Sequence, residues 1–103
     1  MASQPIEARL TALGDSNRRA IFDLLSNGSQ SVGEIAKRLP ITRSAVSQHL
    51  RVLSDVGLVN YEPHGTRNIY SLDADAVAEI RDYLDTIWSK ALARFKARAE
   101  RRK

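Results

Sequence analysis

The side chains best suited to a chemical role lie together in residues 42–53, TRSAVSQHLRVL. On a helical repeat of 3.6 residues, Val46, Leu50 and Leu53 form an apolar stripe that is expected to pack inward. The opposite face carries hydroxyl, amide and guanidinium groups, which suit hydrogen bonds to base edges and phosphates in the major groove of DNA. The candidate DNA-contacting residues on this helix are Arg43, Ser44, Ser47, Gln48 and Arg51, with His49 on the flank.

Alone, this pattern also fits an ordinary amphipathic helix with a polar surface, but the residues before it add a motif. Ser31 and Glu34 have the spacing of a capping box, and they open a short helix that Pro40 ends. Thr42 can cap the next helix, which leaves a connection of about three residues. The sequence therefore predicts a helix-turn-helix over residues 32–53, in which the N-terminal end of the second helix meets the bases. In the first helix of this motif, the residues expected to face inward are Val32, Ile35, Ala36 and Leu39.

Residues 58–72 predict a β-hairpin directly after the helix-turn-helix. An extended run follows Gly57, residues 63–66 (PHGT) have turn chemistry, and residues 68–72 (NIYSL) are rich in strand formers. A hairpin in this place is typical of a wing, whose tip can lie on DNA beside the groove that the helix enters. The candidate wing contacts are His64, Gly65, Thr66 and, above all, Arg67, although an exposed arginine in a loop is the simpler alternative.

The first and last helices predict a homodimer. The first helix is expected over residues 5–14, from Pro5 to Gly14, and the last over residues 74–99 after the capping residue Asp73. The last helix carries about five turns of apolar stripe, more than one small domain can cover, so a second copy is expected to pack on it. The alternative is a core helix wholly covered by its own chain. The expected interface residues are Ile6, Leu10, Leu13, Ile80, Leu84, Ile87, Trp88, Ala91 and Phe95.

Between these elements, Asp15 or Ser16 is expected to cap a second helix that Gly28 stops, followed by a loop at residues 27–30. The predicted fold class is mainly α with a small β-hairpin, in the order helix–helix–helix–helix–strand–strand–helix. The whole chain is expected to form one winged helix-turn-helix domain over residues 1–103, with a basic tail at residues 100–103.

Composition excludes several functional classes. The formal charge is +4, but residues 90–103 hold seven basic side chains against Glu100, so overall basicity is weak evidence for DNA binding. There is no cysteine, which excludes disulfides, thiolate metal sites and cysteine nucleophiles. No phosphate-binding glycine loop and no catalytic triad order is present, so neither an enzyme nor a cofactor is expected. Without a membrane span or signal peptide in the sequence, a cytoplasmic protein is expected.

Three segments together resemble the ArsR family of bacterial winged-helix repressors: residues 13–25 (LGDSNRRAIFDLL), 47–59 (SQHLRVLSDVGLV) and 70–72 (YSL). The resemblance covers about residues 6–95. It implies a homodimer built on the first and last helices, with two reading helices in successive major grooves of a palindromic operator and repression by occupying a promoter. By the same resemblance, Arg43, Ser44, Ser47 and Gln48 match the positions that contact bases and phosphates, and residues 64–67 match the wing.

The sequence departs from the metal-sensing members that it resembles. Ser31, Gly33 and Ala36 stand where one branch has cysteines, and Ala74, Ala76, Ile87 and Lys90 stand where another has an Asp and three His. We therefore expect no metal response through these sites. The sequence does not identify an effector, since an autorepressor without an inducer and a sensor that responds to something other than metal both fit it. A winged-helix adaptor that binds a protein or small ligand through the apolar face of the last helix is the alternative function.

Overall fold

The computed structural model describes residues 6–101 and has the predicted architecture, five helices with a hairpin between the fourth and the fifth. Pro5, Arg102 and Lys103, on which the predicted start of the first helix and part of the basic tail depend, lie outside the described residues. In chain order the elements are α1 (Ile6–Ala12), α2 (Ser16–Leu25), β1 (Gln30–Ser31), α3 (Val32–Arg38), α4 (Arg43–Asp55), β2 (Val59–His64), β3 (Arg67–Leu72) and α5 (Ala74–Arg101).

The helices begin at the predicted caps. Asp15 Oδ1 accepts the backbone N–H groups of Asn17 and Arg18 at 2.9 and 3.0 Å. Thr42 Oγ1 accepts the N–H of Ala45 at 3.0 Å, and Asp73 Oδ1 accepts that of Ala76 at 2.9 Å. Each cap supplies an acceptor for backbone donors that have no partner inside the helix.

The capping box that opens α3 is formed in both directions. The Glu34 N–H donates to Ser31 Oγ at 3.2 Å, and the Ser31 N–H donates to Glu34 Oε1 at 3.0 Å. The start of the predicted helix-turn-helix is therefore held by local hydrogen bonds, which confirms the prediction made from the Ser and Glu spacing.

The sheet has one strand more than expected. β1 lies in the segment predicted as a loop, where Gln30 pairs with Tyr70 and Ser31 with Ile69, so the sheet is antiparallel with the order β1-β3-β2. A pairing of two residues has no periodicity of its own and depends on a partner strand far along the chain, which explains why the sequence pattern did not reveal it. The predicted helix ends also move, because α2 ends before Gly28, α1 ends before Gly14 and α5 continues past residue 99.

The core lies where the inward faces of α2, α3 and α4 meet. The predicted stripe of α4 is confirmed, since Val46, Leu50 and Leu53 are all fully buried. Ile21 of α2 and Ile35 of α3 are equally buried against them. This packing orients α4 and leaves its polar face in solvent.

The last helix leaves its own domain soon after it begins. Ala76 is its one buried residue among those described, and every residue from Arg81 to Arg101 is exposed. Leu13 and Ile80, two of the predicted interface residues, are half-buried and pack partly against the core of their own chain. Trp88 is 65% exposed and Phe95 73% exposed, so the alternative of a helix wholly covered by its own chain is wrong. Within residues 6–101, no helix is both long enough and apolar enough to cross a membrane.

Candidate nucleic-acid interface

The polar face of α4 is exposed to solvent because the opposite face of the helix is buried in the core. Arg43, Ser44, Ser47, Gln48 and Arg51 are all exposed, as the periodicity predicted. His49 differs from them because it is half-buried on the flank of the helix. The N-terminal residues of α4, which in a helix-turn-helix are the ones nearest the bases, are therefore free to contact a ligand.

The hairpin of β2 and β3 projects beside this face. The two strands pair through Pro63 with Asn68 and His64 with Arg67, and Gly65 makes the turn with a φ of 63°. Such a positive φ is accessible to glycine at little cost, which explains this residue at the tip. All four predicted wing residues, His64, Gly65, Thr66 and Arg67, are exposed.

A cleft of about 470 Å³ joins the reading helix to the wing. Its lining residues come from α3 and its N-cap, from the first two turns of α4, and from the hairpin turn with the start of β3. The cleft brings together Arg43, Ser44 and Ser47 of α4 with Thr66 and Arg67 of the wing, but Gln48, His49, Arg51, His64 and Gly65 do not line it. The remaining lining residues are Ser31, Val32, Gly33, Glu34, Lys37 and Asn68.

Two of these lining residues extend the basic and polar character of the cleft beyond what the sequence suggested. Lys37 lies on the exposed side of α3, and Asn68 follows Arg67 on β3. No local pattern distinguishes either from an ordinary surface residue, because only the tertiary arrangement brings them beside α4. With Lys37, the cleft has three cationic side chains, since Arg43 and Arg67 also line it.

Glu34 carries the one carboxylate among the residues that line the cleft, and this carboxylate already accepts a hydrogen bond from the Ser31 backbone N–H. The Ser31 backbone N–H, followed by the Ser31 hydroxyl, lowers the pKa of the Glu34 carboxyl, and the positive charges of Arg67 and Arg38 act in the same direction. The carboxylate is therefore ionised at neutral pH and belongs to the helix cap. The three cations outnumber it, so the cleft favours an anionic group such as a phosphate.

The guanidinium of Arg43 lies close to Gly33, which also lines the cleft. A Cβ built on Gly33 would lie 3.5 Å from Arg43 Nη2 and 3.6 Å from its Cζ, which is ordinary van der Waals contact. A glycine inside a helix costs stability relative to alanine, and these distances leave room for a methyl group at this position, whereas a larger side chain would meet the guanidinium.

The chain offers little to a metal ion in the part that the structure describes. Over residues 6–101, no group of three or more His, Asp or Glu side chains comes together. His64 Nε2 lies 3.8 Å from Glu62 Oε2 at the wing tip, and both side chains are largely exposed.

Comparison with known proteins places these features in a family. Residues 13–62 match the model of a helix-turn-helix domain. The HTH-type transcriptional regulator Rv2034 of Mycobacterium tuberculosis is 49% identical over 81 residues, which cover 79% of this chain and 76% of that protein. The transcriptional repressor SdpR of Bacillus subtilis is 31% identical over 68 residues, covering 66% of this chain and 76% of its own length.

A solved structure shows the same architecture. The homodimeric winged helix-turn-helix DNA-binding domain Mb0332 of Mycobacterium bovis, described as a possible ArsR-family transcriptional regulator, superposes with a TM-score of 0.68 at 28% identity. The match covers 84% of this chain and 81% of that one. These relatives are DNA-binding regulators and not enzymes. The chain belongs to the ArsR family of winged helix-turn-helix transcriptional regulators.

Proposed function

We propose that this transcriptional regulator is a homodimeric repressor that binds a palindromic operator through α4 and the wing. The observation that supports this most strongly is the cleft, in which Arg43, Ser44 and Ser47 of the reading helix face Thr66 and Arg67 of the wing. A helix face for the major groove and a basic hairpin beside it are the two parts that a winged helix needs for DNA.

The exposed side chains divide by chemistry into base readers and phosphate contacts. Ser47 and Gln48 lie within the first two turns of α4, and their short hydroxyl and amide groups suit base edges in the major groove. Arg43 and Arg67, with Lys37, suit the DNA backbone, and the cleft between them would hold one phosphate. The remaining proposed backbone contacts are Ser44, His49 and Arg51 on the helix and His64, Gly65 and Thr66 on the wing.

The second copy is proposed to cover the exposed stripe of α5. Leu84, Ile87, Trp88, Leu92 and Phe95 are between 46% and 73% exposed, which is unusual for large apolar side chains on one face. Ala91 extends the stripe, and Ile6 and Leu10 are half-buried on α1, a helix that contacts α5. The homodimeric state of the Mycobacterium bovis relative supports the same assembly here.

Charge along α5 favours an antiparallel pairing of the two copies. Residues 74–87 carry four carboxylates and one arginine, whereas residues 88–101 carry five basic side chains and one carboxylate. Antiparallel helices would bring the acidic half of each copy against the basic half of the other, while parallel helices would bring like charges together. A two-fold axis near the middle of α5 then presents the same apolar residues from both copies.

Repression would follow from occupying a promoter, as the name of the Bacillus subtilis relative also suggests. A dimer that reads two half-sites one helical turn apart blocks that stretch of DNA without a further activity. The stripe of α5 is apolar from Leu84 to Phe95 and offers few polar groups to an inducer, which favours an autorepressor over a sensor. Such a protein would act in the cytoplasm.

Binding to a fragment of the protein's own promoter, against a scrambled fragment of equal length and composition, tests this function. Both should be measured at two salt concentrations, with added zinc and with a chelator, and the stoichiometry should be determined by sedimentation. We expect selective binding of two chains per site that zinc does not change. Weak and equal binding to both fragments, with a monomer in solution, would contradict the proposal and favour a winged-helix adaptor.

A further inference from the structure

Arg9 is a buried cation that belongs neither to the proposed DNA-contacting surface of α4 and the wing nor to the exposed stripe of α5. The residue is only 7% exposed and lies on α1. Its Nε donates to the backbone carbonyl of Val56 at 2.9 Å, and its Nη1 pairs with the Glu79 carboxylate. A single guanidinium therefore joins α1 to the end of α4 and to α5.

The contact with Val56 has a specific meaning for the reading helix. Val56 is the C-cap of α4, where backbone carbonyls have no partner inside the helix and the helix dipole is negative. A cation there is favourable, and here it comes from another helix and not from α4 itself. The far end of the reading helix is thus capped from α1.

The contact with Glu79 lies in the short part of α5 that touches the domain. From Arg81 onward α5 is exposed, so its direction relative to α4 is set by the residues before that point. Asp73 ties the start of α5 to the sheet, since its N–H donates to the Leu58 carbonyl and its Oδ2 accepts from Asn60 Nδ2, both at 2.9 Å. Arg9 and Glu79 provide the second polar tie, about two turns further along the helix.

We propose that Arg9 is a positioning residue that fixes the angle between the reading helix α4 and the helix α5, and thereby the spacing of the two reading helices in the dimer. Apolar contacts such as those of Ala76 and Ile80 permit small rotations, whereas a fork of directional hydrogen bonds does not. Because α4 is about 20 Å long, a small rotation at Val56 moves its N-terminal end by a larger distance. The consequence for DNA rests on the proposed function, but the angle itself can be measured without DNA.

A distance between two spin labels tests the angle. The chain has no cysteine, so Arg51→Cys on α4 and Ser89→Cys on α5 can be labelled without a competing thiol, and this measurement is made without DNA. Electron–electron resonance in an excess of unlabelled protein then reports the distance within one chain. We expect one narrow distribution of label distances in the protein that carries only the two cysteine substitutions. Adding Arg9→Met should make this distribution roughly twofold wider.

Three further variants separate positioning from stability. Glu79→Gln keeps an oxygen that can accept from Arg9 and should keep most of the narrow distribution, while Arg81→Met removes an exposed arginine of α5 and should change nothing. Glu79→Ala truncates a half-exposed side chain and should widen the distribution even if Arg9→Met does not fold. A distribution as narrow in Arg9→Met and Glu79→Ala as in the parent protein overturns the proposal, even if both variants unfold at lower temperature.

The effect on DNA is measured with a duplex that the wild-type protein selects from random sequence. We expect Arg9→Met to remain dimeric but to lose about tenfold of the preference for the selected half-site spacing over spacings changed by one base pair. An unchanged spacing preference contradicts the proposal. If the wild-type protein selects no duplex, the proposed function fails, and the label distances still decide the role of Arg9.

Discussion

The guanidinium of Arg43 lies against the backbone of Gly33, with its Nη2 3.5 Å from the point that a Cβ on Gly33 would occupy. This contact joins the second residue of α3 to the first residue of α4, across the turn of the helix-turn-helix. A side chain larger than that of alanine at Gly33 would therefore meet the guanidinium that is proposed to hold a phosphate.

Two substitutions of Gly33 distinguish an effect on the stability of α3 from an effect on the position of Arg43. Gly33→Ala places a methyl group at ordinary contact distance, so it should raise the free energy of unfolding by about 0.5 kcal/mol and leave DNA affinity unchanged. Gly33→Leu should displace the guanidinium and weaken operator binding about tenfold, or about 1.4 kcal/mol. Urea unfolding and DNA titration of the two variants check this, and equal DNA affinity for both would argue against a role for Arg43.

Arg67 should act through the DNA backbone. Arg67→Ala removes one proposed phosphate contact from each chain, so the slope of log affinity against log salt should fall by about 0.9 per chain. The measurement is a DNA titration at four or more salt concentrations, with Arg81→Ala on the exposed side of α5 as the matched control. An unchanged slope in Arg67→Ala would contradict the proposed contact between the wing and a phosphate.

Trp88 is the only tryptophan of the chain and is 65% exposed in the single copy, so it reports assembly directly. We expect its emission to shift to longer wavelength on dilution, over the range in which sedimentation shows the dimer to dissociate. Ile87→Glu would bury an unpaired carboxylate in the proposed interface and should weaken the dimer by about 3–5 kcal/mol. Ala93→Glu lies on the opposite face of α5 and should have little effect. A dimer that tolerates Ile87→Glu would exclude the stripe as the interface.

The capping carboxylates predict loss of stability in acid. The Arg18 backbone N–H lowers the pKa of Asp15 below its usual 3.8, and the Asn60 side chain lowers that of Asp73. Because the folded pKa is below the unfolded one, each contribution is fully present above the unfolded value and is lost as the pH falls through the folded value.

Asp15→Asn tests this dependence, because asparagine caps helices as well as aspartate but carries no charge. The wild type should be more stable than the variant at pH 6, and the difference should shrink towards pH 3. Urea unfolding at several pH values measures it. A difference that stays constant from pH 6 to pH 3 would contradict the assigned pKa direction.

Local features of the structure could be predicted from the sequence, and long-range ones could not. Thr42 and the Ser31–Glu34 box begin their helices as predicted because the hydrogen bonds involved span three residues. Arg9 falls on the same helical face as Ile6 and Leu13, which was a signal of burial, but its partners Val56 and Glu79 are 47 and 70 residues away. Lys37 joins the cleft only through the packing of α3 on α4, which no local pattern encodes.

The most direct test of the central claim is the selectivity of the double variant Ser47→Ala, Gln48→Ala. Its affinity should be measured for the operator and for a scrambled duplex of the same length, with wild-type protein in parallel. We expect operator binding to weaken by about 1–3 kcal/mol for each lost base contact while binding to the scrambled duplex is nearly unchanged. An equal loss on both duplexes would show that these side chains do not read the bases.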